Sequence, residues 1–455
     1  MLGEEHHDTA TILNNLALLY TNMGDYAKAE SLYLQALQIY KKVLGEEHPY
    51  TAASLNNLAE LYRATGVYRK AEPLYQQALQ IRKKALGPDH PDTATSLNNL
   101  ALLYFQMGAY EKAEPLYQQA LQIDQKALGP DRPNTAAILN NLAELYRAMG
   151  VYAKAEPLYQ QALQFYRKTL GAQHPDVAMI LNNLAGLYDS QGQYAKAEPL
   201  FQQALQIFQK ALGPDHPDTA RSLNNLALLY VQMGTYEKAE SLYQQALQIC
   251  QKALGPEHPF TATSLNNLAE LYRAMGAYEK AEPLYQQALQ IKKKALGPDH
   301  PETAQSLNNL AELYLKMGDN ARAEPLLEQA LQIRKKALGL DHLNTATSLN
   351  NLAALYDEMG DYKKAEPLLQ QALQIRQKAL GPEHPDTALA LEDLAALKFD
   401  LGQVRQAKAL AQQSAQASSA ILSKVLGFTS EQERLAYQAT LNPYSLFCGP
   451  GRQRG

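Results

Sequence analysis

All ten histidines of this 455-residue chain recur in one kind of setting, a short connector of the type GPDHPDTA. They are His6, His7, His48, His90, His174, His216, His258, His300, His342 and His384. A histidine next to Asp or Glu invites a metal reading. Yet each connector brings a single histidine flanked by prolines, without the i, i+4 or C-x-x-C partner of a ligand set, and Arg132 takes the same place once. Helix capping or packing is the expectation, with no metal and no cofactor. Cys250 and Cys448 form no framework, and Cys250 stands at a position held elsewhere by Tyr40, Arg82, Asp124, Phe208 and Lys292, which reads as a spare thiol. No histidine follows His384 to serve Cys448, and no phosphate loop, G-x-S-x-G or H-E-x-x-H occurs, so the chain reads as non-enzymatic.

The other recurring polar group is an Asn pair, from Asn14-Asn15 to Asn350-Asn351, nine times at intervals of 42 with no insertion. A tenth, diverged unit has Glu392-Asp393 there. A neutral amide carries a donor and an acceptor, which suits it to gripping another main chain. Three units add Glu and Arg three residues apart: Glu60 with Arg63, Glu144 with Arg147, and Glu270 with Arg273. Such pairs serve equally as surface ion pairs or as ligand contacts.

The elements that position these groups follow from periodicity. In the unit starting at Ser54, Leu55, Leu58, Ala59 and Tyr62 define one helical face. Gly66 stops that helix, and Tyr68, Ala71, Tyr75, Ala78, Ile81 and Ala85 define a second, longer one ending before Gly87. Pro91 suits the first position of the next helix and Asp92 its first turn. Arg82, Lys83 and Lys84 complement the second helix's dipole and need no partner to explain them. Pro73, past the first turn, predicts a local bend. Two short helices cannot bury both apolar faces alone, so successive units must stack and share one elongated core. At 100° per residue, Asn56, Asn57, Glu60 and Arg63 fall away from the apolar face and are expected on the surface.

Leu58-Ala59, Tyr62, Gly66, Tyr68, Ala71, Tyr75 and Ala78 resemble the tetratricopeptide repeat in order and spacing. The 42-residue length and the LGPDHPDTA connector are similar to the repeats of kinesin light chain and its prokaryotic relatives. The resemblance implies an all-α fold, a right-handed superhelical solenoid of helix-turn-helix hairpins. Its inner wall, built by the first helices, would bind an extended peptide of a protein partner. It places the backbone-gripping amide at Asn57, Asn99, Asn141, Asn183, Asn225, Asn267 and Asn309. The alternative is that these amides tie adjacent first helices together, and both roles are compatible. Arg63, Arg147 and Arg273 are candidate contacts on the same wall. Leu102 with Phe105, and Leu228 with Val231, offer apolar anchors.

A net charge of -4 lacks the basic excess that nucleic acid rewards, and no stretch of about 18 apolar residues is present, so neither nucleic acid nor membrane is the expected partner. A cytoplasmic protein is the default reading. Residues 1–8 read as the end of a connector belonging to a missing repeat, 9–386 as nine tandem units, and 387–426 as a diverged capping unit. An uncapped first unit leaves apolar surface for self-association. The tail, 427–455, is expected to be poorly ordered, and its GFTSEQERLAYQATLNPYSLF resembles the junction that precedes CHAT-type caspase-like peptidase domains. That resemblance implies an alternative role as the sensor arm of a peptidase whose catalytic domain is missing from this chain.

Overall fold

A computed structural model describes residues 6–128 and 133–425. Among these residues there are twenty α-helices and no strand, arranged as ten hairpins. Unit one is His7–Asn22 with Tyr26–Leu44, and unit two is Pro49–Ala64 with Tyr68–Ala85. Later units repeat this, and unit ten is Pro385–Asp400 with Val404–Val425. Each second helix that carries an internal proline runs unbroken through it, as Tyr68–Ala85 does through Pro73.

Alanine makes the close approach possible: Ala59, Ala71 and Ala78 are fully buried, and so is the Tyr75 ring that fills the space between hairpins. Gly66, at φ +68°, turns the chain between the two helices, where a Cβ would be strained. In the connector, Thr93 donates its hydroxyl to the Gly87 carbonyl at 2.8 Å and closes the loop on itself.

Neighbouring units are stitched by polar ladders as well as by the core. Tyr104, Tyr146, Tyr188 and Tyr230 each donate to a Glu on the previous unit's second helix, at 2.7–2.8 Å. In unit ten Lys398 replaces the tyrosine and reaches Glu366 at 2.6 Å. Lysines near the ends of the second helices bond acids of the preceding connector, as Lys126 does with Asp89 at 2.8 Å and Lys294 with Glu257 at 2.6 Å. Two sequence expectations are corrected here. Lys84 bonds Glu47 at 2.5 Å, and Arg82 is buried, donating to the Asp92 carbonyl at 2.9 Å and to Ser96 at 3.0 Å, so these basic residues do have partners. The variable position of Cys250 is likewise core: Tyr40, Arg82, Asp124, Phe208, Cys250, Lys292 and Arg334 are all buried between units.

Successive first helices touch one another, whereas successive second helices do not approach so closely, so the ribbon curves with the first helices inside. The curvature brings the chain back onto itself. His342 Nε2 lies 2.7 Å from the Gln106 carbonyl oxygen, and His384 Nε2 lies 3.2 Å from that of Ala148, each across 236 residues. At 42 residues per unit that is a return after between five and six units. Leu343 and Leu380 of unit nine pack against the core of the early units, adding apolar contact to the same junction between turns.

Candidate functional site

The histidines share one role through Nδ1, and His342 and His384 add a second through Nε2. In each described connector Nδ1 accepts the backbone N–H two residues on, capping the first helix: His90 from Asp92 at 3.1 Å, His216 from Asp218 at 3.1 Å, His342 from Asn344 at 2.9 Å. An accepting Nδ1 leaves the proton on Nε2, the tautomer that donates to the carbonyls of Gln106 and Ala148. Burial holds the pKa values of His258, His300, His342 and His384 below the ordinary histidine value. Among the described residues, only His6, His7 and Asp8 bring three ligand-type side chains to one point, and His6 Nδ1 already accepts from the Asp8 N–H. Arg132 and Cys448 lie outside the described residues. Cys250 is buried with Sγ 3.4 Å from Ser264 Oγ, and burial raises its pKa, away from the reactive thiolate.

The inner wall carries the three Glu/Arg pairs as closed triads with a second-helix tyrosine. Arg63 Nε donates to Glu60 at 2.9 Å and Tyr75 donates to the same carboxylate at 2.7 Å. Arg147 Nη2 bonds Glu144 at 2.8 Å, where Tyr159 also donates. Arg273 bonds Glu270, which accepts from Tyr285 at 2.5 Å, and reaches Glu312 of the next unit at 3.1 Å. Burial works against the Arg63 charge, but Glu60 outweighs it and raises the pKa, so the guanidinium is a fixed charge. Between these units Asp189 is desolvated, its pKa pushed up to about 6, with Oδ1 lacking a hydrogen-bond partner. Phe105 is half-buried and stacks on Tyr110, centroids 5.7 Å apart, while Leu228 is 47% exposed.

The two amides of each Asn pair part company. The sequence placed Asn56 on the surface with Asn57, but it is buried, as are Asn140, Asn182, Asn224 and Asn308, because the tight curvature closes the gap between neighbouring first helices over them. Asn56 Nδ2 donates to Ser96 at 3.3 Å and Asn308 Nδ2 to Ser348 at 3.0 Å, each across to the next unit. The second amide remains on the wall. Asn141, Asn183 and Asn309 lend Nδ2 to the first Asn of the preceding unit, at 3.0, 2.8 and 3.0 Å. Asn99 accepts only a long bond of 3.5 Å from Asn98. Asn57, Asn225 and Asn267 form no side-chain hydrogen bond among the described residues, and each is at least partly exposed. The ladder of inter-unit bonds is therefore real in some units and absent in others.

What fold and wall define is a helical-repeat solenoid whose curved inner face offers amides and fixed ion pairs. The tetratricopeptide-repeat family profile matches in nine overlapping spans from residue 8 to 420, and the chain belongs to that family. Among solved structures it is similar to BtubC (BKLC) from P. vanneervenii, 27% identical, over 52% of this chain and 92% of that one, with a TM-score of 0.40. A putative kinesin light chain of Podosopora anserina with nearly identical TPR-like repeats is 33% identical over 45% of this chain and 97% of that one, with a TM-score of 0.39. A Rap protein in complex with Competence and Sporulation Factor shares the fold, at a TM-score of 0.54 and 15% identity over 82% of this chain and 99% of that one. No curated protein matches the sequence. The repeats mark a protein-interaction scaffold. Among the described residues no helix is long and apolar enough to cross a membrane. The junction-like segment and the rest of the tail lie outside the described residues.

Proposed function

We propose that the wall of first helices binds an extended peptide segment of a protein partner. The observation that carries this reading is that Asn57, Asn225 and Asn267 hold amides at the wall with no side-chain hydrogen bond among the described residues. Such a group, repeated at unit spacing, pairs with a peptide's N–H and carbonyl irrespective of side chain. Asn99, Asn141, Asn183 and Asn309 keep part of their capacity and extend the track. Phe105 and Leu228 supply apolar anchors, and Asp189, its Oδ1 unpaired, favours a basic or N–H-rich group on the ligand. Arg63, Arg147 and Arg273, neutralised locally by glutamates, set the polarity of the track more than its affinity.

The test compares two triple substitutions against a peptide selected on the wild-type chain from a random displayed library. Asn57→Ala with Asn225→Ala and Asn267→Ala weakens binding at least tenfold with unchanged thermal unfolding. Asn141→Ala with Asn183→Ala and Asn309→Ala lowers the unfolding temperature as well. Equal affinity in the first variant sinks the reading.

A further inference from the structure

The contact between superhelical turns is built from two surfaces of different kind. One is the turn between the two helices of units one to four. The other is the connector of units seven to ten, His-Pro in three of them and His342-Leu343 in unit nine. A Cβ at Gly66 would stand 2.7 Å from Pro301 Cδ, and one at Gly150 would stand 3.5 Å from the His384 ring. Gly24 and Gly108 face Pro259 and Leu343 in the same way, at 3.8 and 3.6 Å. Each turn receives the connector of the unit six places on.

Six places in a chain of ten units leave matching halves unused at opposite ends. The connectors of the early units keep the same His-Pro chemistry but stay open: the side chains of His90, His174 and His216 are 41%, 40% and 40% exposed, against 9% for the clasped His384. Gly234, Gly276, Gly318, Gly360 and Gly402 repeat the receiving turn, and among the described residues nothing lies within 4 Å of a Cβ at any of them. Beside four of these turns Met233, Met275, Met317 and Met359 are 39%, 42%, 39% and 50% exposed. Unit one adds a stripe that no described residue covers, since Leu16 and Leu19 are 37% and 53% exposed whereas their equivalents Leu58 and Leu61 are each at 2%.

We propose that a second copy of this chain docks head to tail on the first, its early connectors seating on the late turns in the geometry the chain already uses within itself. In continuous register His48, His90 and His174 of one copy meet the turns at Gly234, Gly276 and Gly360 of the other. Because the surfaces differ, the contact is heterologous and leaves a free face on each copy, so assembly extends as a fibre along the superhelix axis.

Sedimentation velocity of the full chain over a concentration series tests this. The expected result is a mass that keeps growing with concentration. Substituting Met233→Glu, Met275→Glu and Met359→Glu disables the turn face. Substituting His48→Asp, His90→Asp and His174→Asp disables the connector face while retaining a good helix cap. Circular dichroism checks that both variants keep their helicity, and the internal clasps are untouched in each. Each variant alone stays monomeric, and an equimolar mixture doubles in mass and stops, because one good face of each kind remains. A wild-type chain that is monomeric throughout or stops at a dimer, or variants that grow as wild type does, overturns the proposal.

Discussion

At the scale of single residues, the unexpected occupant is the charged group between hairpins. Arg334 is 1% exposed and donates to the Asn344 carbonyl at 2.9 Å, to Ser348 at 3.0 Å and to Gln305 at 2.5 Å. Burial pushes its pKa down to about 10. Removing the guanidinium strands those partners in either variant, so Arg334→Met, which still fills the space, is expected to cost about 1–2 kcal/mol, and Arg334→Ala, which adds a cavity, about 3–4 kcal/mol. Urea unfolding of both variants checks this. The ladder tyrosines are a milder case. Tyr146→Phe loses a bond to Glu114 at 2.7 Å and should cost about 1 kcal/mol. Neither role was legible in the sequence, for an instructive reason. A position that holds Tyr, Arg, Asp, Phe, Cys and Lys in turn looks solvated, yet each of those side chains finds its own local partner in the same gap between units.

At the scale of the element, almost everything was readable. Apolar spacing gave both helices, and glycine and proline gave the turns, because these signals act within a few residues. The histidines belong here. A ring nitrogen takes the place of the usual Ser or Asp cap, so His90→Ala should destabilise its hairpin by about 1 kcal/mol while His90→Asp is close to neutral, as thermal melts can show. The Asn pair marks where periodicity stops being enough. Asn56 and Asn57 are one residue apart on one helix, and only the curvature between units decides that the first is sealed and the second left on the wall.

At the scale of the molecule, the return of the chain onto itself could not be read from sequence, because His342 and Gln106 are joined only through the summed rotation of the intervening units. It makes the shape pH-dependent. His258, His300, His342 and His384 have folded-state pKa values lowered chiefly by burial, so the neutral form is the one the clasp stabilises. That stability is present above the unfolded histidine value of about 6.5 and is lost as pH falls through it toward the folded values. Asp386 and Glu302 beside His384 and His300 oppose the shift, while Arg376 and Lys292 reinforce it. Small-angle scattering should therefore show the radius of gyration rising on acidification with helicity retained, and His342→Gln should show a weaker dependence.

The inner wall as the docking track is most directly tested by placing a photoreactive amino acid at Asn225, or at Gln245 on the exposed side of the second helix, and irradiating each chain with the selected peptide. The account predicts a peptide adduct at position 225 and none at 245. Adducts at 245 with none at 225 would contradict it.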